Sequence, residues 1–287
     1  MGLLCSLLVL GTCAVICAED KAQQNTAQRT KAESNLNAIV RDILQHELHE
    51  QANDRSLWCY RKLQEKAGKQ QLSVACQIEG AEIDRLMVVN GKSLNEKQKQ
   101  LEDQRIEKLL RNREQLKKQK QQQQEDAKQA TNLLKLIPDA FVFQQAGKVG
   151  DRVTLKFTPN PAFRPTGYSA QVFHHMEGTL TLDLKQKRLV EISGQLKSDV
   201  KFGGGLLGHL DKGGTFLVKQ QEVGLGCWEM TLLDVRMTGK ALFFKSIAVR
   251  TKEVNTDFRP VPAAATMQQV ATLTNEPGDN NVSRAQR

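Results

Sequence analysis

The chain has 287 residues and a formal net charge of +9, and aromatic residues make up 5% of it. The basic residues are interspersed with acids and glutamines, and the few aromatics fall in strand-like patterns, which argues against the exposed stacking platforms of nucleic-acid binders. About 240 structured residues are enough to bury one sizeable core in a single domain.

Residues 3–16, LLCSLLVLGTCAVI, carry no charge. The run is shorter than the roughly 20 residues of a transmembrane helix. It ends near Ala18, before Glu19-Asp20-Lys21, and so predicts a secretory signal peptide cleaved after Ala18 and a periplasmic or secreted protein. Lipid attachment at Cys13 or Cys17 is the alternative, and the poor lipobox contexts of both count against it. Beyond the signal, Cys59, Cys76 and Cys227 remain. Residues 19–35 read as a polar, disordered linker, 36–259 as a single domain with a helical insert at 94–136, and 260–287 as a disordered tail.

A helix is expected from Leu36 to Glu50, with Leu36, Ile39, Val40, Ile43, Leu44 and Leu48 on one face. His46 and His49 stand three apart on it, one residue short of the spacing that two metal ligands need, and read as exposed helix residues. Three strands follow at about 57–64, 71–79 and 82–89. A turn at Ala67-Gly68 sets Leu63 against Leu72, Leu57 against Ile78 and Cys59 against Cys76. Opposed Cβ atoms lie about 4.5–5.5 Å apart, close to the roughly 3.5–4.5 Å a disulfide needs, so a Cys59–Cys76 bond is feasible in an exported chain. Two neighbouring buried thiols are the other outcome.

Ser93, with Glu96 three residues on, is the expected cap of one long helix or two in tandem over 94–136. Its first half is charged and Gln-rich, and its end, Ala127–Ile137, looks docked on a core. Pro138 is expected to end it. From Phe141 to Phe258 the pattern is β: Phe141–Gln145, Arg152–Thr158, Met176–Leu184, Arg188–Leu196, Thr215–Glu222, Cys227–Met237 and Ala241–Val254. The strands follow one another as hairpins, which predicts an α+β fold built on an antiparallel meander.

Gly203 to Gly208 match GxGxxG in form but stand in no βαβ unit, which rules against nucleotide binding. Leu206, Leu207 and Leu210 in this loop are candidates for a gate over an apolar cavity. His174 and His175 are adjacent and on a strand point to opposite faces, so they do not share a metal; no metal and no cofactor are expected. Trp228–Val249 reads as a hairpin turning at Gly239, with Val235 facing Leu242, Leu233 facing Phe244, Met230 facing Ile247 and Trp228 facing Val249. It is then apolar on both faces, whereas a solvated antiparallel sheet keeps one face wet. A second cover or an apolar ligand is required.

A helix followed by Trp58–Gln64, Leu72–Glu79 and Ile83–Val89, then Met176–Leu184, Arg188–Leu196 and Trp228–Val249, resembles the LolA/LolB-like lipoprotein-localisation fold over about residues 36–258. The resemblance implies an incomplete, half β-barrel with helices covering its concave side, to which this chain adds the long helical insert. It also implies a non-enzymatic carrier that holds a lipid acyl chain or a lipoprotein. Trp58, Tyr60, Trp228, Met230, Leu232, Phe243 and Ile247 are the residues expected to line that cavity, and the basic helix is expected to touch an anionic membrane surface. The alternatives are a structural or signalling module whose core is filled, and a hydrolase with dispersed catalytic residues.

Overall fold

Residues 35–224, 226–241 and 245–275 are described by the computed structural model. The expected signal peptide, the linker up to residue 34, Leu242, Phe243 and Phe244 lie outside the described residues.

In chain order the elements are α1 (residues 35–53), β1 (Trp58–Lys66), β2 (Lys69–Ile78), β3 (Ala81–Val89), β4 (Lys92–Ser93), α2 (Glu96–Arg111), α3 (Arg113–Ala140), β5 (Phe141–Val149), β6 (Arg152–Pro159), β7 (Met176–Asp183), β8 (Arg188–Leu196), β9 (Val200–Phe202), β10 (Gly208–Leu210), β11 (Thr215–Gly224), β12 (Cys227–Ala241), β13 (Lys245–Pro260) and α4 (Met267–Leu273). All strands join one antiparallel sheet in the order β4-β3-β2-β1-β13-β12-β11-β8-β7-β6-β5, with β9 and β10 attached to β12. The ends do not meet, so the fold is α+β with an incomplete, barrel-like sheet. Among the described residues one pairing is far from local: β13 returns beside β1 and joins the two hairpin arrays.

One helix ties the array together from outside. α3 has Lys120 against the β2–β3 turn, 3.2 Å from Glu79, and ends at Phe141, where β5 begins. Those 21 residues span about 30 Å as helix. Nine strand spacings between β3 and β5 measure about 43 Å along the sheet, so the sheet curls between the points the helix links. Residues 121–130 of this strut are exposed all round.

The register determines which residues share a face. Leu155, Leu180, Ile192, Val218, Leu233, Glu253, Gln64 and Gln71 are directly opposed in turn from β6 to β2, so they lie on one side, here face A. Over β5–β8 face A is dry. Val40, Ile43 and Leu44 of α1 and Ile137 of α3 pack there on Phe143, Leu155, Phe157 and Leu180. Over β1–β3 the dry side is face B instead. Cys59, Cys76 and Ile83 meet Ile106 of α2 and Val270 and Ala271 of α4 there. The helices therefore cover opposite faces at the two ends of the sheet.

The central strands β12 and β13 lie where the dry face changes: Met237 packs against the face-A core, whereas face B carries the apolar pair Leu232–Val254 and, beyond it, Asp234 opposite Lys252 and Arg236 opposite Arg250. The hairpin itself differs from the expected one. Leu232 pairs with Val254, Met237 with Val249 and Ala241 with Lys245, so Gly239 sits inside a strand and is not the turn. Gly239 is read as a turn from sequence because strands disfavour it. Here it admits β10: a Cβ on it would stand 2.1 Å from the His209 carbonyl oxygen.

Other expectations are also corrected. Asn95, not Ser93, caps α2 through a capping box with Gln98, and Ser93 belongs to β4. α3 runs two residues past Pro138, whose ring is accommodated in the last turn. Part of the tail is ordered: α4, capped by Thr266, closes the face-B core, and Thr274 accepts a 3.0 Å hydrogen bond from Arg85 Nε. A seven-residue helix with two buried apolar residues has too short a period to stand out in sequence.

Candidate functional site

Two surfaces of the β12-β13-β1-β2-β3 region combine exposure with chemistry. On face B, Val88, Leu72, Leu63, Val254 and Leu232 are directly opposed across five successive strands. Such a row is about 19 Å long. It lies beyond the cover of α2 and α4, and Leu63 is 36% exposed. Where β12 and β13 diverge after the Leu232–Val254 pair, a groove of about 620 Å³ opens beside the row, with Val223 and Phe258 along it and Lys219 and Lys252 on its rim. Lys219 is held 2.8 Å from Glu191.

On face A the same strands carry a polar seam. Tyr60 donates its hydroxyl hydrogen to Glu82 Oε2, and Lys62 donates to Glu82 Oε1. Gln64 Nε2 donates to Glu253 at 3.2 Å, and Asn255 Nδ2 donates to Glu253 and to the Met230 carbonyl, each at 3.1 Å. Asn255 thereby bridges the fork between β12 and β13. Burial, reinforced by the Glu82 carboxylate, holds the Tyr60 hydroxyl well above the usual tyrosine range. For Lys62 burial opposes the charge, but Glu82 outweighs it and the ammonium is held above its ordinary value. Burial pushes the Glu229 carboxyl up to about 7, against a 3.5 Å hydrogen bond from Gln77 and with Asp54 adding to the rise. Tyr60 remains a protonated donor locked on Glu82, an arrangement that satisfies buried polar groups.

The residues expected to line one cavity are divided between the faces. Trp58 and Tyr60 lie together on face A with Ala75, Val223, Cys227 and Phe258. Trp228 is buried under the Arg188 guanidinium, 5.5 Å from its ring centre. Met230 pairs with Gln220. Leu232 is on face B, and Ile247 stands opposite Gly239, seven residues along β13 from Val254. Phe243 lies outside the described residues. Leu206 and Leu207 form a tight turn in which the Leu206 and Leu207 amides donate to the Gly203 and Phe202 carbonyls at 3.2 Å, and Leu210 belongs to β10 and packs on the face-A core.

Cys59 and Cys76 are directly opposed and joined by a disulfide, with Cα atoms 4.0 Å apart. His49 hydrogen-bonds Asn53, while His175 reaches Ser198 at 2.8 Å and His174 lies beside Phe163. Among the described residues no three His, Cys, Asp or Glu side chains form a metal-binding group. The face-B row escapes sequence reasoning because it exists only through the β1–β13 pairing, some 190 positions apart in the chain. The opposed Leu63 and Leu72 are its one legible part.

No protein-family model, no characterised protein and no solved structure matches the chain.

Proposed function

We propose that the chain is an exported, non-enzymatic binding protein of the LolA/LolB-like kind, whose ligand is an acyl chain, free or carried by a lipoprotein. The ligand lies along the face-B row, with Val254 and Leu232 beneath it and Lys219 and Lys252 near its polar end. The observation that carries the reading is a row of five opposed aliphatic side chains, Leu63 exposed and the other four half-buried, beside an open groove. A partly exposed aliphatic row is what a cargo of CH₂ groups, each contributing about 0.8 kcal/mol on burial, would cover. The disulfide accords with an oxidising compartment.

Titration of the purified full chain with a dansyl-labelled fatty acid tests the reading. Saturable binding is expected, weakened tenfold or more by Leu63→Asp or Leu232→Asp. An absence of binding, together with no acyl lipid on native mass spectrometry, refutes it. That outcome favours the structural module, for which the observation is the packing of α1 and the end of α3 into face A.

A further inference from the structure

The β9–β10 end of the sheet presents a surface that the acyl-chain reading leaves unused. Leu206 is 86% exposed and Leu207 39%, at the apex of the turn between β9 and β10. Large aliphatic side chains at a loop apex lose contact with water only when something covers them. The turn holds them there. Gly203, Gly204 and Gly205 take φ of 56°, 66° and 96°, left-handed values that other residues adopt at a cost, and Leu207 folds back on Gly203 while Leu206 projects outward.

Behind this apex lies a row of bases. His209 is directly opposed to Lys201 on one side and to Lys240 on the other, and Arg250 is opposed to Arg236 on the next strand pair. Val200 and Phe202 face the core, so Lys201, His209 and Lys240 share the opposite, solvent side. Asp211 lies 3.3 Å from His209, and Arg236 is held by Asp234. Among the described residues Lys201, Lys240 and Arg250 make no ion pair. Directly opposed like charges destabilise a sheet, and an external anionic surface removes that penalty.

We infer that this end of the molecule docks on an anionic membrane surface, with Leu206 and Leu207 entering the headgroup region and Lys201, Lys240 and Arg250 facing lipid phosphates. An apolar apex with a basic collar matches the layering of a bilayer interface, where apolar groups settle about 5–10 Å deep and cations remain at the headgroups. The Lys/Gln-rich stretch of α3 lacks this combination: its exposed residues 121–130 contain no large apolar side chain, and Lys118 and Lys120 are paired with Glu114 and Glu79.

Co-sedimentation of the full chain with phosphatidylcholine vesicles, with and without phosphatidylglycerol, tests the inference. Binding is expected only to the anionic vesicles, with release on raising the salt. Leu206→Asp with Leu207→Asp is expected to lower it about tenfold or more, and Lys201→Gln and Lys240→Gln about fivefold each. All four side chains lie at the surface, so the thermal midpoint stays unchanged and a folding defect is ruled out. Leu63→Asp leaves vesicle binding intact, which separates this inference from the acyl-chain site. Equal binding to neutral and anionic vesicles, wild-type binding by the leucine variant, or retention on an acidic polypeptide without vesicle binding overturns it.

Discussion

The β5–β8 half and the β1–β3 half of one continuous sheet bury opposite faces, by different means. On the β5–β8 side, α1 and the end of α3 bring Val40, Ile43, Leu44 and Ile137 onto Phe143, Leu155 and Leu180, and the core is large and mixes aliphatic side chains with phenylalanines. On the β1–β3 side the helix cover is smaller, and a disulfide stands in its centre. The side that is dry in one half is a polar seam in the other. The change of dry face falls across β12 and β13, where face A carries Leu233, Val235 and Met237 and face B carries one apolar pair, Leu232–Val254, beside Asp234, Lys252, Arg236 and Arg250. Leu63 and Leu232 belong to neither core.

The sharpest way to break the β5–β8 half is through its one buried charge pair. Glu47 of α1 is fully buried, with Oε2 3.0 Å from Arg188 Nε. The approach is out of line for a hydrogen bond from Nε, so charge holds the pair, while Gln51 donates to Glu47 at 2.8 Å and Gln220 lies 3.4 Å from it. Glu47→Ala leaves the Arg188 guanidinium buried without its counter-charge. A loss of about 3–5 kcal/mol is expected by urea denaturation. Glu47→Leu combined with Arg188→Met is expected to recover most of it, because well-packed apolar residues replace such pairs at little cost. If the double variant is as unstable as Glu47→Ala, the pair does more than clamp α1 onto β8.

The counterpart in the β1–β3 half is the disulfide. Replacing Cys59 and Cys76 with Ser together is expected to cost about 3 kcal/mol, the chain-entropy value for a loop of this length. Reduction of the wild-type protein should lower the denaturation midpoint to the same degree. A negligible change would mean that α2 and α4 suffice to hold this half without the bond.

Sequence alone read the local part of this comparison and missed the non-local part. The Cys59–Cys76 register follows from a turn eight residues from either cysteine, and α1 follows from its periodicity, because both depend on neighbours in the chain. The α+β class follows from hairpins in succession. The exchange of dry faces depends on β13 pairing with β1, and nothing local in Val254 or Leu63 announces the other. Gly239 has the local look of a chain reversal, whereas its missing side chain serves the close passage of β10. Glu47 falls on the apolar stripe of α1, and its burial becomes intelligible only once Arg188 is placed opposite it.

The smallest expected effect separates the polar seam from both cores, and it is one of pH. Burial pushes Glu229 up to about 7 from an ordinary 4.5, so the folded protein binds its proton more tightly than the unfolded chain does. A carboxyl raised in this way contributes stability that is fully present below about pH 4.5 and is lost as the pH rises through 7. At about 1.4 kcal/mol per unit the full displacement corresponds to about 3.5 kcal/mol, and solvent screening of this half-buried carboxyl lowers that to roughly 2–3 kcal/mol. Urea midpoints measured between pH 5 and pH 8 should therefore fall as the pH rises, and Glu229→Gln, which stays neutral and keeps its contact with Gln77, should flatten the trend. A wild-type profile already flat over that range would mean that water reaches Glu229 through the fork between β12 and β13, and that the seam is open to solvent where the two cores are closed.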